Sequence, residues 1–114
     1  MSAPSLDIPG RTPVAIDEKG YLLDVSDWSP AVAQAMAEAD GVDLNEDHWA
    51  VFEIFREYYR HYEIEPPMRA LVKRVRERLG EEKGNSRFLY RLFPDGPVTQ
   101  ACRYAGLPRP VSCI

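Results

Sequence analysis

Two cysteines and two histidines in 114 residues are few enough to exclude several kinds of chemistry at once. His48 and His61 stand thirteen positions apart on one predicted helix, and the thiols show no tight ligand spacing, so a structural zinc is not expected. No glycine-rich phosphate loop and no Ser/His/Asp set can be assembled. No run approaches the ~18 apolar residues of a membrane span, and the first twenty positions have neither a basic nor an apolar leader region. A cytoplasmic protein is expected. In that reducing setting two thiols point to catalytic, redox or metal-binding use rather than to a structural disulfide. Internal repeats and low-complexity segments are absent too.

What is present describes one globular domain over residues 1–114. Apolar residues make up 45% and charged residues 28%, neither a disordered nor a cysteine-stapled composition. A chain of this length buries roughly two thirds of its unfolded surface. The net charge of −4 conceals a division at Glu65: residues 1–65 hold 14 acids against 4 Lys/Arg, and residues 66–114 hold 4 acids against 10. An anionic partner should meet the second half.

"TPVAID", the turn-like "EKG" and "YLLDV" predict a small β-meander with a hairpin around Gly20, after a few loose N-terminal residues. Ser29 as N-cap with Pro30 at the first helical position starts an alanine-rich helix that stops at Gly41. Asn45 is the expected cap of a central core helix carrying Trp49, Phe52, Ile54, Phe55, Tyr58, Tyr59 and Tyr62. Past Pro66 and Pro67, "MRALVKRVRERLG" places Met68, Leu71, Val72, Val75 and Leu79 on one face and basic residues on the other, with Gly80 as the stop. "SRFLYRLF" predicts a short aromatic helix, and "DGPVTQACRYAG" a last one with Pro97 near its start and Gly106 just past its end. Acidic pairs such as Glu46 and Asp47, or Glu81 and Glu82, fit helix ends and solvated surface.

Cys102 lies on that last helix, where a lone thiol reads as a small buried hydrophobe. Cys113 does not fit that account, since the next residue is Ile114 and packing cannot explain a thiol in an exposed terminal segment. Residues 107–113, fully extended, would reach about 23 Å. Pro108 and Pro110 stiffen the segment and remove amide donors, so it is expected as a mobile arm over 107–114. An arm turned at Gly106 can fold back far enough for a Cys102–Cys113 bond, and the short ring it closes would be readily reducible. Arg103 and Arg109 are the nearest cations in sequence and could favour a thiolate.

"EEKGNSRFLYRLFPDGPVTQACRYAGLPRPVSCI" resembles the C-terminal third of the DsrC family, sulfur carriers that work with dissimilatory sulfite reductase, and "DEKGYLLDVSDWSPAVAQAMAE", "HWAVFEIFREYY" and "PPMRALVK" extend the resemblance over the chain after about residue 12. The resemblance implies an α+β, mainly helical fold: an antiparallel β-meander packed on an orthogonal array of about five helices, with the C-terminal arm. It implies a carrier and co-substrate rather than a turnover enzyme. Cys113 would accept sulfur from dissimilatory sulfite reductase as a persulfide, and Cys102 would resolve it as a disulfide or trisulfide. A membrane-bound thiol-disulfide reductase complex would restore the dithiol, and upstream sulfurtransferases could supply sulfur where the cycle runs in reverse. Siroheme and iron-sulfur clusters would belong to the partner enzyme, with no cofactor on this chain, which would be a monomer when free.

Two alternatives accompany that reading. The related TusE proteins relay sulfur toward 2-thiouridine in tRNA and typically lack the upstream cysteine, so Cys102 favours the dissimilatory branch. The family fold also contains a helix-turn-helix-like arrangement, and Arg69, Lys73, Arg74, Arg76 and Arg78 could contact phosphate, although the acidic balance of the chain argues against nucleic acid.

Overall fold

The computed structural model describes residues 4–110. Strand β1, Ser5–Leu6, pairs antiparallel with β2, Val14–Ala15, in the register Ser5 to Ala15 and Leu6 to Val14. An isolated bridge between Ile16 and Leu22 and a hydrogen bond from Leu23 N–H to Ala15 O (3.2 Å) add a third passage, so the expected meander is present. Its turn is built by Asp17, whose Oδ1 accepts from Lys19 N–H (2.8 Å) and Tyr21 N–H (3.0 Å) while its carbonyl accepts from Gly20 N–H (3.0 Å). Ser5 and Leu6 are held to the edge of β2, while the first three residues of the expected loose N-terminus lie outside the described residues. A two-residue strand has no alternation by which its sequence could announce it.

A single 3-10 turn, Val25–Asp27, capped by the Asp24 side chain, leads to the helices. These are α1 (Pro30–Ala39), α2 (Glu46–Tyr62), α3 (Met68–Leu79), α4 (Ser86–Leu92) and α5 (Pro97–Tyr104), which together with the small sheet make a mainly helical α+β fold. Ser29 does cap α1, but through its extended backbone only, with no side-chain bond. Asn45 caps α2 fully: its side chain accepts from Asp47 and His48 N–H, and His48 Nδ1 accepts the Asn45 N–H (3.1 Å) where a capping box usually has a Glu.

The central helix α2 packs on α3 and α5, and α1 packs on α5 and β1. Val51, Phe52, Ile54 and Phe55 of α2 are buried with Leu71 and Val75 of α3, Leu89 of α4 and Phe93. Phe52, Phe93 and Tyr104 form a triangle of rings with centroids 6.0 to 6.3 Å apart. Burying each such side chain contributes about 1.5–3 kcal/mol. Tyr62, expected in the core, is 51% exposed: at the last position of α2 its ring lies against Tyr58, 4.5 Å away, instead of in the interior.

Candidate functional site: the end of the last helix

Helix α5 starts on Pro97, whose missing N–H costs nothing in a first turn, and carries Cys102 on its buried face. Cys102 is 0% exposed, and its Sγ donates to the carbonyl of Pro108 at 3.3 Å. The helix ends in a Schellman turn. Gly106, at φ 78°, lets its own N–H reach Arg103 O (3.1 Å) while Leu107 N–H reaches Cys102 O (3.1 Å). The two remaining end carbonyls go to side chains from distant segments: Tyr104 O accepts from Trp28 Nε1 (2.8 Å), and Ala105 O from Arg56 Nη1 (2.7 Å). The Arg56 guanidinium lies over the Trp28 ring, 4.2 Å from its centroid. All four orphan carbonyls of the helix end thus have donors.

The segment expected as a mobile arm from Leu107 starts out packed. Leu107 is 2% exposed, Pro110 is buried, and Arg109 Nη2 meets Asp17 Oδ2 at 3.2 Å and Glu18 Oε1 at 3.8 Å. Cys113, the expected sulfur acceptor, lies outside the described residues.

Neither arginine expected to support a thiolate has an unengaged charge. Arg103 is ion-paired with Asp40, which also accepts from Tyr104 Oη (2.6 Å), while Arg109 pairs across to the meander turn. Burial alone would raise Asp40, but the hydrogen bonds from Tyr104 and Arg103, with the charge of Arg103, leave its carboxyl below the usual value. Tyr104 moves the opposite way: burial first, then its bond to Asp40, push the phenol up to about 12. The phenol also accepts from Gln100 Nε2 (3.0 Å), so the face of α5 that carries Tyr104 is held by a connected polar network.

The basic face of α3 is partly spent within the fold. Arg78 pairs with Glu53 (3.3 Å) and Glu57 (3.0 Å) of α2, Arg76 donates to Gly84 O (3.1 Å), and Arg74 lies over Tyr58. That distribution suits helix-to-helix docking better than a phosphate-contacting surface. Among the described residues no group of three or more His, Cys, Asp or Glu is placed to hold a metal ion, and no helix is long and apolar enough to cross a membrane.

The arrangement defines a class: a small, mainly helical domain with a buried thiol on its last helix and a proline-stiffened C-terminal segment leaving beside it. The family model described as "DsrC like protein" matches residues 9–114, both cysteines included. This chain belongs to that family. It is 50% identical over 109 residues to the sulfurtransferase TusE of Pectobacterium atrosepticum, covering 96% of this chain and 99% of that protein. The TusE of Yersinia pestis is 49% identical over the same share of each. Among solved structures, Allochromatium vinosum DsrC superposes with a TM-score of 0.87 at 49% identity, covering 99% of this chain and all of that one. The oxidized γ-subunit of dissimilatory sulfite reductase (DsrC) from Archaeoglobus fulgidus gives the same TM-score at 36% identity over 97% of this chain and 100% of its own. The curated relatives therefore favour the TusE branch, which the sequence places second on account of Cys102.

Proposed function

We propose that this protein is a sulfur relay that carries sulfur as a persulfide on Cys113 among sulfurtransferases, in the manner of the TusE proteins, with thiolation of tRNA as the destination. The observation that supports it most is the 50% identity to a curated TusE sulfurtransferase along nearly the whole of both chains. In each transfer the Cys113 thiolate attacks the outer sulfur of a donor persulfide, takes that atom, and leaves the donor as its thiol. The chain needs no cofactor for this, only a thiol that can reach a partner.

The second reading is the dissimilatory one, in which sulfite reductase leaves on Cys113 a partly reduced sulfur that still bears a hydroxyl, and the Cys102 thiol attacks that sulfur and displaces the hydroxyl as water, closing a trisulfide. Cys102 favours it, as does the 49% identity to a DsrC structure. Its return to the dithiol requires an external reductant, here a membrane-bound thiol-disulfide reductase complex.

The test is to load Cys113→Ser, Cys102→Ser and the parent protein from a persulfidated sulfurtransferase and follow intact mass with and without reductant. Cys113→Ser should gain no sulfur, while Cys102→Ser should hold one reducible sulfur atom. Sulfur on Cys113→Ser would refute the assignment. Native co-purification separates destinations: tRNA-thiolation proteins support the first reading, sulfite reductase subunits the second.

A further inference from the structure

Both tryptophans of the chain line one surface groove. Helix α2 supplies Trp49, Phe52, Arg56 and Arg60 at spacings of three and four, a stripe about 16 Å long, and Trp28 closes the opposite side. The groove holds about 310 Å³, at the bottom of the ~300–1,000 Å³ range of small-molecule sites, which suits a protruding side chain better than a cofactor. Trp28 gives its N–H to Tyr104 O (2.8 Å), whereas that of Trp49 has no acceptor among the described residues. A second depression of about 260 Å³ shares Arg56 and Arg60 and lies against Leu107, where the C-terminal segment leaves the helix.

The two arginines are poorly compensated. Glu53 and Glu57, on the rim, pair with Arg78. Arg60 and Glu63 make no ion pair among the described residues, and Arg56 gives its hydrogen bond to a neutral carbonyl, that of Ala105. Burial, and then the charge of Arg60 one turn on, lower the pKa of Arg56, with no carboxylate to counter them. Like charges at this spacing repel. An anion seated between the two guanidiniums removes that repulsion and gains charge-assisted hydrogen bonds.

A nucleic acid is a poor match for the groove. Glu53 and Glu57 alternate with the arginines, so a strand of phosphates would meet carboxylates along the same rim, and Arg56 covers a face of Trp28 on which a base would stack. A protein segment fits: an Asp or Glu between the arginines, with an apolar side chain beside it on Trp49 and Phe52. Chain length indicates whose segment it is. The six residues from Leu107 to Cys113 span at most roughly 20 Å, so any thiol that meets Cys113 is held within that distance of the second depression.

We propose that this groove docks the sulfurtransferase that exchanges sulfur with Cys113, through an acidic residue of that partner between Arg56 and Arg60 and an adjoining apolar side chain on Trp49 and Phe52. The identity of the partner rests on the carrier role of Cys113, while the groove rests on its own geometry. The exchange it serves is balanced: the donor's S–S bond breaks, an S–S bond to Cys113 forms, and the donor leaves as its thiol with no net oxidation.

The experiment uses the full chain, whose two indole N–H signals in an NMR spectrum both report on the groove. On titration with the sulfurtransferase used for loading, in its reduced form, both signals should shift in the parent and stay in place in Arg60→Glu. Arg91→Glu, the same charge change at an exposed site on α4, is the control. Loading from the persulfidated sulfurtransferase should slow at least about fivefold in Arg60→Glu and stay within about twofold of the parent in Arg91→Glu. Loading from glutathione persulfide, which needs no docking, should stay within about twofold in both. Unshifted signals in the parent, undiminished loading of Arg60→Glu, or an equal loss in Arg91→Glu would overturn the proposal. So would an equal loss with glutathione persulfide, which would place Arg60 in the chemistry of Cys113. Indole shifts produced by a single-stranded oligoribonucleotide, or by raising the concentration of the protein alone, in place of the sulfurtransferase would overturn it in favour of nucleic acid or a second copy. The carrier reading fails separately: sulfur on Cys113→Ser removes it and leaves the indole shifts standing.

Discussion

Replacing Gly106 with alanine should destabilise the fold by about 3–6 kcal/mol. At φ 78° an L-residue costs about 1–2 kcal/mol through its own backbone. The new Cβ would also stand 2.2, 2.6 and 2.7 Å from Trp28 Cδ1, Cγ and Cβ, far inside contact distance. The ring cannot yield cheaply, since its Nε1 is bonded to Tyr104 O and Arg56 lies on its face. Overpacking of that kind costs about 1–3 kcal/mol, and loss of the Trp28 hydrogen bond about 1 kcal/mol more. Gly41 provides the comparison: it has nearly the same φ, 73°, and no atom within 4 Å of the position an added methyl would take, so Gly41→Ala should cost the backbone term of about 1–2 kcal/mol alone. Urea unfolding of both variants measures the difference. In a Trp28→Ala background, Gly106→Ala should fall to the Gly41 level, a coupling of about 1.5 kcal/mol or more. Equal losses for the two glycines, or no coupling to Trp28, would refute the account of the helix end.

His48 is held neutral, with burial as the main cause of its lowered pKa; Nδ1 accepts from Asn45 N–H and Nε2 faces the Leu92 carbonyl at 2.9 Å. Its contribution is full above the ordinary value of 6.5 and is lost as pH falls through the depressed one, so urea midpoints should drop on acidification below 6.5 more in the parent than in His48→Gln. Tyr104, raised to about 12, works at the other end: its contribution is full below pH 10 and disappears as pH rises through 12, at most about 2–3 kcal/mol. Midpoints between pH 10 and 12 should fall in the parent and stay flatter in Tyr104→Phe. Iodoacetamide should label Cys113 at least tenfold faster than Cys102 in the reduced protein, because Cys102 is fully buried; mass spectrometry of the labelled peptides checks this, and equal rates would count against the division of roles.

The helices were legible because their ends carry local chemistry. Asn45, Pro30, Pro97, Gly41 and Gly106 each mark a terminus through their own side chain or lack of one, and the structure places them there. Burial of Cys102 followed from its place on an amphipathic helix. β1 was invisible because two residues make no period, and Tyr62 was misplaced because the core stripe of α2 stops one turn before the helix does. The partners of Arg103 and Arg109 lie 63 and 92 residues away, beyond any spacing rule. Trp28 and Arg56 left even less trace. Each donates to a backbone carbonyl, which every residue possesses, so no complementary side chain exists in the sequence to betray the pairing.

The packing of residues 107–110 also changes how far the relay can reach. Counted from Gly106, seven residues to Cys113 would allow about 23 Å; counted from buried Pro110, three residues allow about 10 Å. With residues 107–110 packed, only an acceptor brought within that shorter distance of the domain is in reach. A partner with a shallow thiol can be served while Leu107 and Pro110 stay packed, but one whose acceptor sits at the bottom of a deep channel must first pull both off the domain. Depth of the acceptor site thereby becomes a means of telling partners apart, since those requiring the longer reach must also supply the free energy of opening.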